Sequence, residues 1–222
     1  FREDLYVPGY FELSIKKGET IIFSAGTAPI GVRKLKALFE EEKEKRTGRA
    51  DFVSCLKNSA QQFYNKKEDG YYLLAGYPWF KYRARDEFIA LPGTTLAIGD
   101  VAMFENMMKI GVVAVRDYID GKPKSTQLKE VSSPDVLLWF IWNIQQYAQA
   151  TSLQQAADKY GDTVLDIIAF IRKQKHTNLF VHDNGLLYTD GRYKPATWMN
   201  AMENDYPITP RTGYVVEINA LW

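Results

Sequence analysis

The run Val136-Leu137-Leu138-Trp139-Phe140-Ile141-Trp142 is apolar without a break and constrains the fold more than any other feature of the chain. Read as part of a helix over 134–150, it is hydrophobic on every face, so it has to be enclosed on all sides. It is far short of the ~20 apolar residues of a membrane-spanning helix. Val112, Val113, Ala114, Val115, Tyr118 and Ile119 give a second helix, over 101–119, almost as apolar. Buried helices beside amphipathic ones imply two helical layers, as concentric rings or a superhelix of helical hairpins would produce. The partner helices are read at 32–46, 52–64, 86–98 and 153–174, with a last one beginning at Glu217. Pro92-Gly93 is expected to interrupt the helix over 86–98. The fold class is therefore mainly α.

The first thirty residues read differently. Tyr10-Phe11-Glu12-Leu13-Ser14-Ile15 and Thr20-Ile21-Ile22-Phe23-Ser24 flank Lys17-Gly18, which predicts a hairpin. Residues 1–30 are expected to end an upstream β-rich domain, and 31–50 to be a linker helix with a solvated, charged face. Gly48 would end that helix and Asp51 cap the next. Leu179-Phe180-Val181 and Leu186-Leu187-Tyr188 around Asp183-Asn184-Gly185 predict a second hairpin. The polar stretch 190–213 reads as a long loop, and Tyr193, Trp198 and Tyr206 favour a functional loop over disorder. Both ends, Phe1 and Trp222, look cut, so 51–222 is expected to be the first part of a larger domain.

Charge narrows the function. With 28 basic and 27 acidic residues the net charge is +1, without the basic excess that a nucleic-acid binder uses to neutralise phosphates. One cysteine, Cys55, and two histidines, His176 and His182, argue against an internal disulfide or a zinc site. No cofactor or metal is expected, and the low cysteine count fits a cytoplasmic protein. Phosphate-binding glycine loops, nucleophile elbows and zinc-protease motifs are absent from the sequence. Carboxylates set among aromatics and arginines remain. One cluster runs from Tyr77 through Trp79 and Phe80 to Arg85-Asp86. A second holds Trp198, Asn200, Glu203, Asp205, Arg211 and Glu217. Ser133-Pro134-Asp135 is the third. Each also has a plain reading: Asp86 as an N-cap, Glu217 as a first-turn carboxylate and Asp135 as a helix start. Carboxylates with aromatics suit glycoside hydrolysis, which needs an acid for the leaving oxygen, a carboxylate opposite it and rings over the sugar's apolar face. Arg85 and Arg211 would hold hydroxyls or steady a neighbouring carboxylate.

These residues resemble a known family. Gly76-Tyr77-Pro78-Trp79-Phe80 and Arg85-Asp86-Glu87-Phe88-Ile89-Ala90-Leu91-Pro92-Gly93 are similar to the G-Y-P/H-W-F and W-G-R-D-T-x-I-x-L-P-G blocks of glycogen debranching enzymes. Ser133-Pro134-Asp135-Val136-Leu137-Leu138-Trp139-Phe140 resembles the D-A-S-L-W-F block. Thr197-Trp198-Met199-Asn200-Ala201, Thr209-Pro210-Arg211 and Val216-Glu217-Ile218-Asn219-Ala220-Leu221-Trp222 resemble T-W-M-D-A, T-P-R and V-E-I-N-A-L-W. The blocks occur in the family's order over most of the chain.

The resemblance implies part of an (α/α)6 barrel of the six-hairpin type, with a short β segment before it. It implies amylo-α-1,6-glucosidase activity on the branch points of glycogen or limit dextrin, by an inverting, metal-free, two-carboxylate mechanism. The α-glucan would be the partner. Catalytic candidates are Asp86, Asn200 and Glu217. Expected substrate contacts are Trp79, Phe80, Arg85, Asp135, Trp139, Trp198 and Arg211. Two blocks depart from the pattern: Asn200 replaces the aspartate that the resemblance implies as general acid, and Arg83-Ala84 replaces Trp-Gly. An amide cannot donate that proton, which leaves Asp86, Glu203, Asp205 or Glu217 for the role. The base is expected beyond Trp222, so this chain is expected to be inactive alone and to self-associate through exposed inner helices. The alternatives are a glycan-binding helical domain without turnover, a trehalase-like inverting glucosidase and a helical scaffold for protein partners.

Overall fold

A computed structural model describes residue 4 and residues 6–222, and the chain divides into two compact units, 1–48 and 49–222. Among the described residues of the first unit there is no strand. The hairpin expected over 10–24 is a lone turn, in which Glu19 N donates to Lys16 O at 3.0 Å and the Glu19 carboxylate accepts from Lys16 N at 2.9 Å. Tyr10, Phe11, Leu13 and Ile15 are exposed, and a two-stranded ribbon with no face to bury is marginal at best. A 3₁₀ turn at Val32–Lys34 leads into helix α1, Leu35–Glu44, which buries no residue. Lys45 reaches back to Glu41 and Glu42, and α1 stops there.

The second unit is mainly helical. Asp51 opens α2, Phe52–Gln61, by accepting from Ser54 N at 2.8 Å. The helix then ends before Tyr64, because 64–73 is an antiparallel hairpin of β1, Tyr64–Lys67, and β2, Gly70–Leu73. The helix expected over 52–64 is therefore shorter than its spacing predicts, and Tyr64 begins β1 instead. The deciding signal is the glycine after Glu68-Asp69: Lys67 pairs with Gly70 across this two-residue turn, and Gly70, the first residue of β2, has φ +144°, open to glycine at little cost.

Helices α3, Ala84–Thr94, α4, Val101–Ile119, α5, Val136–Ala150, and α6, Leu153–Arg172, follow. Strands β3, Phe180–Val181, and β4, Leu187–Tyr188, form the expected second hairpin. Within the long loop, β5, Met202–Glu203, pairs with β6, Tyr206–Pro207, and α7, Val216–Leu221, closes the described chain. Helix α5 packs against α3, α6 and α7. Its Val136, Leu137, Leu138, Phe140, Ile144 and Tyr147 are buried, as its all-round apolar surface requires, while Trp139 and Ile141 are half-buried. Among the described residues no helix is long and apolar enough to cross a membrane.

Two contacts explain how α3 lies on its neighbours. Pro92 sits inside α3 without interrupting it. A proline there has no N–H for the carbonyl four residues back, here Phe88 O. The Asn143 side chain of α5 supplies the missing donor: its Nδ2 bonds Phe88 O and also Trp139 O at 2.9 Å. The interruption expected at Pro92-Gly93 is therefore absent because a buried amide from the adjacent helix replaces the lost hydrogen bond. On the other side, a Cβ at Gly111 of α4 would meet the Phe88 ring at 3.0 Å, so glycine permits the close approach of α4 to α3.

Replacing Asn143 by Leu should leave Phe88 O buried without a partner. The expected loss is about 1–3 kcal/mol of stability, read as a lower urea midpoint at unchanged m-value.

Candidate functional site

The first turn of α3 carries the densest group of expected site residues. Arg83, not Asp86, is its N-cap position, and Asp86 and Glu87 lie within the first turn, where acidic side chains favour the positive end of the helix dipole. Arg85 and Ile89, and likewise Asp86 and Ala90, are four residues apart and share a face. That face forms one side of a cavity of about 530 Å³. Leu73, Leu74 and Phe80 form another side, and Trp198 and Asn200 close it from the long loop.

A second cavity of about 420 Å³ adjoins the first and shares Arg83, Arg85 and Asn200 with it. Its other walls bring Ser132, Ser133 and Thr177 together with Tyr193 and Lys194. Two side chains hold this wall in place. Asn178 clamps the start of the long loop, donating to Asp190 O and accepting from Asp190 N, both at 2.7 Å. His176 accepts from Asn178 N at 3.0 Å, and burial pushes its pKa down to about 4, so it is the neutral ring that accepts.

The backbone at Gly191 lies against Arg211, so a Cβ there would collide with backbone atoms. Thr189 and Gly213 exchange backbone hydrogen bonds beside it, at 2.9 and 3.1 Å. The loop is thus anchored at both ends, with Ala196 and Thr197 buried between.

Arg85 and Asp135 meet, but with each other. The Arg85 Nε and Nη2 donate to the Asp135 carboxylate at 2.8–3.1 Å, and both side chains are at most 4% exposed. Asp135 stands at the N-cap position of α5 yet makes no capping bond, so the plain helix-start reading is replaced by an ion pair. Arg211 and Glu217 also pair with each other, half-buried, and neither lines the two cavities. Glu217 is at the same time in the first turn of α7, as its plain reading has it. Glu203 is exposed on β5, and Asp205 is exposed in the turn that follows. Trp79 is 80% exposed and lies outside both cavities. Trp139 packs edge-on against Trp142 at 5.4 Å, also away from them. The structure therefore joins Phe80, Arg85, Asp86, Trp198 and Asn200 in one place, with Asp135 bonded beneath Arg85. It leaves Trp79, Trp139, Arg211 and Glu217 elsewhere.

The residue blocks and this geometry agree with a comparison against known families: the family model described as amylo-alpha-1,6-glucosidase matches residues 51–222. The chain belongs to that family. A search of curated proteins returns no match. As a family member, the protein is of the glycosidase kind. Among the described residues, no group of three or more His, Cys, Asp or Glu side chains is placed to hold a metal ion.

Three features of this glucosidase-family cavity had weak sequence signals. Arg83 is shared by both cavities, lies 5.2 Å over the Phe80 ring and reaches Glu130 at 3.6 Å. Its signal was the Arg-x-Arg-Asp spacing. Thr177 lies in a stretch with no signal of its own, and Tyr193 is read only as one of the aromatics that favour a functional loop over 190–213. Glu87 is fully buried, accepts from Leu73 N at 3.1 Å, and its Oε1 has no partner. Burial pushes its pKa up to about 8.

Removing one partner of the buried pair, as in Asp135→Asn or Arg85→Met, should cost about 3–5 kcal/mol in urea unfolding. The double variant Arg85→Met/Asp135→Leu should recover much of that loss, because no buried charge is then left alone.

Proposed function

We propose that the cavity between α3 and the 198–200 turn binds the terminal glucose of an α-1,6 branch on an α-glucan, and that the branch bond is hydrolysed there with inversion and without a metal. The observation that carries this reading is the shared lining: Asp86, Arg85, Phe80, Trp198 and Asn200 border one space of about 530 Å³. That size lies within the range of about 300–1,000 Å³ typical of small-molecule sites. Phe80 and Trp198 supply rings for the apolar face of the sugar. The adjoining cavity, with the hydroxyls of Ser132, Ser133 and Thr177 and the ring of Tyr193, takes the remainder of the glucan chain. In this reading the helical unit belongs to an (α/α)6 barrel.

Inverting hydrolysis uses a carboxylic acid that protonates the leaving oxygen and a carboxylate that activates water across the sugar ring, roughly 6.5–9.5 Å away. Glu203 and Asp205 line neither cavity and Glu217 is paired to Arg211, so Asp86, which does line the larger one, is the carboxylate left to serve as acid. Arg85, neutralised by Asp135, then acts as a hydrogen-bond donor with little net charge.

A second reading has its own support. Asp86 is the one carboxylate among the described residues lining the larger cavity, and Asn200 beside it is an amide that cannot transfer a proton in that role. On that reading the site holds glucan without cutting it. Glucose release from a branched limit dextrin by a longer protein that also carries the base expected beyond Trp222, measured together with calorimetric binding, separates the two. The hydrolase reading expects Asp86→Asn to lower release by about 10²–10⁴-fold while binding persists. Binding with no release by the wild-type protein favours the second reading, and absence of binding defeats both. In either case Trp198→Ala should weaken branched maltooligosaccharide binding about tenfold, equivalent to about 1.4 kcal/mol.

A further inference from the structure

Glu87 is a buried acid that neither reading of the site uses. Its neighbours on α3 are Arg85 and Asp86, both in the cavity lining, while its own carboxyl turns to the other element that forms the cavity, the end of β2. There it accepts from the backbone N–H of Leu73, and Leu73 and Leu74 are themselves lining residues. One hydrogen bond thus joins two walls of the same space.

We infer that Glu87 is a positioning residue for the glucose cavity: its carboxyl holds the end of β2 against the first turn of α3 and so sets the gap between the Leu73-Leu74 wall and the Asp86 wall. The inference rests on the proposed reading of this cavity as a glucan site.

The surroundings define how the link responds to protons. Among the described residues no basic side chain pairs with Glu87. On β2, the Tyr72 hydroxyl donates to Asp69 and is pushed up to about 12, chiefly by burial. On α3, Arg85 is taken by Asp135 at the head of α5. On α4, Glu105 bonds Lys159 and Tyr147, Arg116 bonds Asp166, and Lys109 is exposed. On α2, Lys57 lies near Asp51. Nothing stabilises a charge on Glu87 except the Leu73 amide, and burial therefore keeps its carboxyl protonated to about pH 8.

The sign follows from linkage. When β2 lifts from α3, Glu87 meets water and recovers an ordinary carboxyl pKa of about 4.3. Between that value and about 8 the open form binds fewer protons than the closed one. Opening therefore becomes about tenfold more favourable per pH unit, and the dependence vanishes above about pH 8.

Hydrogen exchange at the Leu73 amide reads this directly. Exchange through opening already accelerates about tenfold per pH unit from base catalysis. The wild-type protein should accordingly show a slope of log rate against pH near two from about pH 5 to 8, falling to one above it. Glu87→Gln keeps an acceptor for Leu73 N but has no proton to lose, so its slope should be one throughout. At pH 6, Glu87→Gln should bind a branched maltooligosaccharide carrying one α-1,6-linked glucose as tightly as wild type, and Glu87→Ala about tenfold more weakly. A slope of one in the wild type overturns the inference, as does wild-type affinity in the Ala variant. Should Glu87→Ala fail to fold, the Gln and wild-type slopes still decide. Absence of glucan binding by the wild type ends the functional reading of the cavity, whereas the exchange slopes report on Glu87 independently of any sugar.

Discussion

The arrangement of the candidate site depends on the buried ion pair between Arg85 on α3 and Asp135 at the head of α5. Two charges at most 4% exposed carry a desolvation cost of several kcal/mol each, which only close, multiple hydrogen bonds can offset. Three such bonds are present. Neither helix can rotate or slide without breaking them, so the first turn of α3 has a fixed direction relative to α5. Asp86 follows Arg85 in the chain and inherits that direction. The same pair also removes most of the positive charge that an Arg-x-Arg-Asp sequence would seem to bring to the cavity.

Sequence periodicity located the long helices because their burial is one-sided or complete. The uninterrupted apolar run of α5 is the clearest case, and the pattern reached its boundaries within one or two residues. Where the sequence misled, a tertiary partner was responsible. Pro92 breaks helices as a rule, but the rule assumes that the freed carbonyl finds nothing, and Asn143 lies fifty-one positions away in the chain. The β1–β2 hairpin was obscured by an aromatic-rich stretch, although the glycine after Glu68-Asp69 is a recognisable turn signal. The expected hairpin near the start of the chain had good alternation but no face to bury.

Half of the candidate site was legible in the same way. Residues tied to α3 and to the Trp198–Asn200 turn come together, since short spacing on a helix and an aromatic-rich loop are local signals. Glu217 and Arg211 looked equally suitable by residue type. They pair with each other through Arg211 Nη2 and Glu217 Oε2 while Arg211 Nε and Glu217 Oε1 stay buried without a partner, and no spacing rule separates a carboxylate that faces a cavity from one that faces an arginine six residues earlier. Glu87 shows the converse. An acid next to an acid in a first helical turn looks like ordinary dipole compensation, and nothing in the local sequence signals its burial or its bond to β2.

The exchange of a backbone donor for a side-chain donor at Pro92 has a consequence for descent. A proline in mid-helix and an asparagine on the facing helix form a unit: without the asparagine the Phe88 carbonyl lacks a donor, and without the proline a backbone N–H competes with the amide for that carbonyl. Substitution at one position during divergence therefore favours a compensating change at the other, and the two columns should drift together in related chains even though neither residue lines the cavity beside α3.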